Sequence, residues 1–175
     1  MIDLTQDYES YYTEELRKDS KSRFFIPLAK LYKQTERLHE AIHILKQGLS
    51  VYPEDTIAKI LLAEIYLESQ QPNLALAEAD AALYKDAFNL LGMQIGMRAS
   101  FTLGLVEKAQ YYAYMILKKY PNQMEALHIV ERVKDFSLTQ PSSLERKQTR
   151  VRKKIDTLNH MLVKIRARTG NQSEI

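Results

Sequence analysis

His39, Glu40 and His43 stand in the order H-E-x-x-H, within the string "HEAIH". On a helix, imidazoles four residues apart lie about one turn from each other and could share a zinc ion, while the glutamate between them would activate a water. That would be the chemistry of a metallopeptidase. No glycine or third histidine follows in the longer metzincin spacing, so a third ligand would have to be an acidic side chain elsewhere, such as Glu64. Whether the residues make a site depends on the elements that carry them, and on what occupies the same place in sister elements.

Those elements are helical. Apolar residues recur at three- and four-residue spacings, and Gly and Pro number only five each, too few for many strands and tight turns. The 175 residues suit one compact domain or one short repeat array, and 45% hydrophobic with 27% charged residues is ordinary for a folded chain. No apolar run approaches the roughly 20 residues that span a bilayer. The start, "MIDLTQDYES", lacks a basic and an apolar region, so no secretory signal is read there. Cysteine is absent, which excludes disulfides and thiolate chemistry and fits a cytoplasmic location.

A longer period organises the helices. "PLAKLYKQ" at 27–34 and "LLAEIYLE" at 61–68 share Leu-Ala-x-x-Tyr at an offset of 34, and Ala41, Ala75 and Ala109 keep the same interval. Pro53 and Pro121 stand two intervals apart. A 34-residue period of paired helices is the mark of tetratricopeptide repeats. From about residue 22 to residue 136 the chain resembles that family. In the first repeat Phe25, Leu28, Ala29 and Tyr32 match its large-x-x-Leu-small-x-x-Tyr motif, and Ala41, Leu45, Gly48 and Pro53 match its later positions. The second repeat keeps Leu62, Ala63, Tyr66, Ala75, Ala79 and Ala82, but Lys59 replaces the first large residue and Ala87 the proline. The third starts with Gly96, Met97 and Ser100 in place of Leu, small and Tyr, then recovers at Ala109, Ala113 and Pro121. Small residues at 29, 41, 63, 75 and 109 allow close helix approach, and large neighbours fill the remaining groove.

The pattern predicts helices near 3–18, 22–35, 38–51, 56–69, 73–85, 90–103, 106–119, 123–136 and 142–168. Leu4, Tyr8, Tyr11, Tyr12 and Leu16 share a face of the first, which reads as half a repeat capping the N-terminal end. "HEAIH" then opens the second helix of repeat one, where Ala41 is the small residue. Its two histidines correspond to Asn73 and Ala77, then to Glu107 and Tyr111. Such variation suits an outward-facing, solvated segment, and no metal site is expected. His128 and His160 are isolated, no phosphate-cradling glycine motif occurs, and no carboxylate pair is set in a pocket by spacing. The eleven tyrosines, including "YYAY" at 111–114, are expected to fill hairpin grooves rather than stack on bases. No catalytic constellation and no cofactor are expected.

The C-terminal segment is electrostatically distinct. Residues 1–141 carry 16 basic and 19 acidic side chains, whereas residues 142–175 carry nine basic and three acidic. Leu144, Val151, Ile155, Leu158, Leu162 and Ile165 form an apolar stripe, and six of the nine residues in "RKQTRVRKK" are basic. Three readings stand. The helix caps the last hairpin with its charged face in water; its stripe pairs with another chain, giving self-association; or the basic run binds nucleic acid or an anionic membrane. The first is favoured, and the third lacks aromatic support because no Phe, Tyr or Trp lies beyond Phe136.

The expected fold is all-α, a helix-hairpin solenoid wound as a right-handed superhelix, with an N-terminal capping helix and a long basic C-terminal helix. Residues 1–141 form the repeat domain (repeats near 22–55, 56–89 and 90–123, partial at 124–136), 142–170 the basic amphipathic helix, and 171–175 a disordered tail. The resemblance implies a non-enzymatic scaffold or adaptor that holds a partner protein's peptide or amphipathic helix in a concave groove. By motif position that groove includes Arg23, Ile26, Lys30, Lys33, Ile57, Ile60, Glu64, Leu67, Leu91, Gln94, Arg98 and Phe101, with His128 and Arg132 from the next helix. Its mixture of aliphatic and basic residues suits a ligand carrying acidic groups. One subgroup of the family grips chaperone C-termini with a Lys-Asn-Asn-Lys-Arg clamp. The corresponding places here include Ile26, Lys30 and Leu61, so the asparagines are missing and no chaperone-tail binding is expected. The alternative function is electrostatic binding to nucleic acid or membrane through the basic tail.

Overall fold

The 34-residue rhythm of the sequence reappears in the backbone of the computed structural model, which describes residues 4–139. These form eight helices and no strand: α1 Leu4–Lys18, α2 Phe25–Gln34, α3 Leu38–Val51, α4 Thr56–Glu68, α5 Pro72–Lys85, α6 Leu90–Thr102, α7 Val106–Lys119 and α8 Met124–Thr139. The helix expected at 142–168 and the tail at 171–175 lie outside the described residues. The chain divides into two compact units, Met1–Glu131 and Arg132–Ile175. The packing that follows belongs to the first.

Each hairpin ends its first helix in the same way. After Thr35, Ser69 and Leu103, the next residue takes a left-handed backbone: Glu36 at φ 59°, Gln70 at 58° and Gly104 at 70°. The amides of Arg37, Gln71 and Leu105 then donate to the carbonyls of Tyr32, Tyr66 and Ser100, each at 2.8 Å. This is a Schellman closure, which satisfies carbonyls the helix end would leave unpaired. Only the third repeat uses glycine there; the others hold side chains in a conformation costing about 1–2 kcal/mol. Gln70→Gly is therefore expected to stabilise the protein by up to about 1 kcal/mol, after the extra entropy of an unfolded glycine is deducted. A urea titration of the variant, read by helicity, checks this.

The starts repeat too. Asp55 and Asn89, one interval apart, cap α4 and α6 by accepting from the amides of Ala58 (3.0 Å) and Gly92 (3.1 Å). Pro72 opens α5 where its missing N–H costs nothing.

Packing follows the motif positions. Ala29, Ala41, Ala63, Ala75 and Ala109 are fully buried, so the close approaches expected at small residues are made. Phe25 lies against Gly48: a Cβ built there would fall 2.2 Å from the ring. One repeat on, the large–small pair is replaced by Lys59 and Ala82, and then by Met93 and Ile116. The third hairpin, whose opening departs from the motif, finds its own solution. Gly96 stands where Leu28 and Leu62 stand in its sisters, and the Tyr112 ring from α7 fills the gap, 2.8 Å from where a Cβ would be. Burial pushes the Tyr112 phenol above its ordinary pKa, and the hydrogen bond it donates to Asp80 adds to the shift.

The tyrosines do not all serve as groove fillers. Tyr66 and Tyr112 are buried, but Tyr111 and Tyr114 of "YYAY" are exposed. A helix turns by about 100° per residue, so adjacent tyrosines cannot all face one groove.

α2 packs on α3, α3 on α4, and so on to α7, while α1 covers α2 at the N-terminal end. In addition the backbones of α2, α4 and α6 approach one another in succession. Those of α3, α5 and α7 do not; α5 and α7 are bridged by side chains, with Lys108 and Tyr112 both reaching Asp80. The first helices of the hairpins thus form the tighter, inner layer of a solenoid.

Candidate binding groove

The inner layer presents an open stripe. Along α4 the accessible side chains are Ile57, Glu64 and Glu68, with Leu61 at their base; along α6 they are Leu91, Arg98 and Thr102. Between α2 and α4 lies a cleft of about 680 Å³ lined by Lys30, Lys33, Gln34, Glu36, Leu38, Leu61, Glu64 and Glu68. Three of the residues singled out from sequence, Lys30, Lys33 and Glu64, come together there.

The others divide. Ile57 and Leu91, at 59% and 43% exposure, are large apolar side chains open to water at equivalent positions of neighbouring repeats. Ile26, Leu67, Gln94 and Phe101 are half-buried along the same helices. Ile60 departs from expectation: at 6% exposure it belongs to the core and offers almost nothing to a ligand. α4 is packed by α2, α3, α5 and α6 together, so only a narrow arc through Ile57, Glu64 and Glu68 stays free. Gln34, Glu36, Leu38, Leu61 and Glu68 line the cleft without having been singled out from sequence, and Gln34 and Glu68, with the exposed Thr102 of α6, are polar residues at 34-residue intervals. Their shared polarity at that interval was the available signal.

Three of the basic residues expected to meet an acidic ligand are already engaged. Lys33 Nζ lies 2.8 Å from Glu64 Oε2 and 3.0 Å from Glu68 Oε1. Burial by itself would depress the Lys33 ammonium's pKa, but the two carboxylates outweigh it and hold the pKa above the ordinary lysine value. Arg98 binds Glu125 of α8 in a bidentate fork, one arm at 3.0 Å, and this hydrogen bonding raises its pKa. Arg23 sits 3.3 Å from Asp55 and over the Tyr52 ring. Lys30 is exposed and has no ion-pair partner among the described residues. The Arg98 pair stands largely in water, where such bridges contribute about 0–1 kcal/mol, and the partly buried Lys33 pairs set which charges a ligand meets. His128 is exposed on α8; Arg132, also exposed on α8, belongs to the second unit.

"HEAIH" lies on α3, away from this groove. His39, Glu40 and His43 are all exposed. Glu40 is 3.0 Å from Arg37 Nε, the His43 ring shares a 3.0 Å hydrogen bond with Gln47, and Glu64 is held by Lys33. Among the described residues no three His, Cys, Asp or Glu side chains are grouped to hold a metal. Replacing His39 and His43 together with Gln is expected to shift stability by about half a kcal/mol or less. Stoichiometric zinc that disappears in the double variant would contradict this.

Comparison with known proteins agrees with the repeat. Residues 32–91 match the tetratricopeptide repeat family. No curated protein matches in sequence. Among solved structures the chain is similar to YrrB, "a TPR protein with an unusual peptide-binding site", at TM-score 0.72 and 15% identity over 80% of this chain and 73% of that one. It is similar to MamA at TM-score 0.71 and 13% identity, covering 86% and 89%. It also resembles the first TPR domain of Spaghetti (RPAP3) bound to an HSP90 peptide, at TM-score 0.63 and 18% identity, covering 69% and 95%. At such identities these likenesses establish the fold. Among the described residues no helix is long and apolar enough to cross a membrane.

Proposed function

We propose that this chain, a tetratricopeptide-repeat protein by its period and fold, is a non-catalytic scaffold that holds a segment of a partner protein along the inner face of α2, α4 and α6. The observation that carries this reading is the exposure of Ile57 and Leu91, equivalent apolar residues on the adjacent inner helices α4 and α6. Exposed apolar side chains at the same place in adjacent repeats can anchor the apolar side chains of a bound peptide or helix. Two fold neighbours carry peptide sites by their own descriptions, which supports the same use here.

The ligand is an amphipathic helix or extended peptide. Its apolar side chains rest on Ile57 and Leu91, and an acidic group meets Lys30, the groove cation with no described ion-pair partner. Lys33 and Arg98 favour such a group less than their charge alone implies, since Glu64, Glu68 and Glu125 already compensate them. The rival reading, electrostatic capture of nucleic acid or membrane by the basic 142–175 segment, is separated by salt. Phosphate binding weakens by orders of magnitude between low and moderate salt, whereas apolar groove binding changes little. The test is capture of a partner by the full-length protein and by a variant with both Ile57 and Leu91 changed to Lys.

A further inference from the structure

The outer side of the third hairpin carries a feature that groove binding does not use. Between α5 and α7 lies a cleft of about 200 Å³ walled by Leu83, Ala87, Met93, Tyr111 and Met115, with Asp80 at one edge. A cavity of about 150 Å³ accommodates benzene, so this cleft has the size of one aromatic ring. Beside it, next in sequence to Leu83, stands Tyr84, 91% exposed. Phe88 and Tyr111, at 59% and 58%, extend the apolar surface around it. The charge at the cleft is internally matched, because Asp80 accepts from both Lys108 and the Tyr112 hydroxyl. A matched charge does not repel an identical surface.

We propose that this face pairs with a second copy of the chain, each copy inserting Tyr84 into the other's cleft. A projecting ring beside a ring-sized hole makes a surface self-complementary, which is what a twofold contact requires. The Asp80 carboxylate has lone pairs beyond the two it uses, so the partner's Tyr84 hydroxyl can donate to it. Tyr84, Phe88 and Tyr111 together expose on the order of 400 Å². That is about half of the roughly 800 Å² each partner buries in a standard interface. The dimer is accordingly weak and concentration-dependent. It is separate from the inner groove, so paired chains would present two grooves and gain avidity for a divalent partner.

Sedimentation of the protein between about 1 and 200 µM, a span of about 3 kcal/mol in association free energy, tests the pairing. The wild type should pass from monomer to dimer across that range. Tyr84→Ser, at a solvent-exposed position, should raise the dissociation constant tenfold or more with helicity unchanged. Tyr84→Phe should retain most of the pairing, and Met115→Trp, which fills the cleft, should abolish it. A chain monomeric throughout would overturn the proposal. So would a dimer indifferent to Tyr84 and Met115, which would place the contact on another surface. A monomer whose cleft binds free p-cresol would point instead to a foreign aromatic side chain, and would equally overturn self-pairing.

Discussion

Gly48→Ala is expected to destabilise the protein by about 2 kcal/mol, although alanine is the better helix former. In an open helix the exchange would gain up to about 1 kcal/mol. Here the new methyl meets the Phe25 ring at 2.2–2.4 Å, and Phe25 is buried at the first residue of α2 with its ring stacked on Tyr52. Overpacking of this kind typically costs about 1–3 kcal/mol. The cause can be isolated by shrinking the ring. Phe25→Leu alone leaves a cavity and should also destabilise, but with Gly48→Ala it should recover part of the loss, since the second repeat pairs an alanine at the equivalent place with a slimmer side chain, Lys59. Urea denaturation of the four proteins measures the coupling. If Gly48→Ala proves stabilising, or the two losses simply add, the ring does not fill the space left by the glycine.

The groove variant carries the second large effect. Ile57 and Leu91 are exposed near the starts of α4 and α6, so changing both to Lys should leave helicity and melting behaviour nearly unchanged. Partner capture should fall by about 2 kcal/mol or more, roughly thirtyfold or beyond, because an apolar anchor is replaced by a solvated charge at two adjacent repeats. Ile60, which the motif positions place on the same face, is unsuited to this experiment. Its side chain is buried, and a lysine there would bring an unpaired charge into the core and unfold the hairpin. Loss of capture in an Ile60→Lys protein would report instability rather than a missing contact.

That contrast shows what the sequence could and could not convey. The helices were legible because a fixed period and buried small residues recur together: Ala29, Ala63, Ala41 and Ala75 mark the close approaches wherever they fall. The burial of Ile60 was not. Ile60 and Leu61 are both apolar and both nearly buried, and only packing by four neighbouring helices decides that Leu61 borders the cleft and Ile60 does not. The ion pairs were hidden for a different reason. Lys33 meets Glu64, and Arg98 meets Glu125, across some thirty residues of sequence, so each basic residue read alone as free. The third hairpin looked degenerate because its missing leucine at Gly96 is replaced by a ring from the other helix, and a motif scanned along one helix cannot register that exchange. The left-handed turns at Glu36 and Gln70 left no trace, since neither residue favours that backbone; only Gly104 signals it.

The central claim is that the inner face of α2, α4 and α6 holds the partner, and one side-by-side capture from native lysate tests it most directly. Three full-length baits are compared by quantitative mass spectrometry: the wild type, the Ile57→Lys/Leu91→Lys variant, and a variant with the charges of "RKQTRVRKK" reversed. The account predicts a protein enriched by the wild type, retained by the charge-reversed tail and lost from the groove variant. Enrichment that survives the groove changes and vanishes on reversing the tail would contradict it, and would place binding on the basic C-terminal segment.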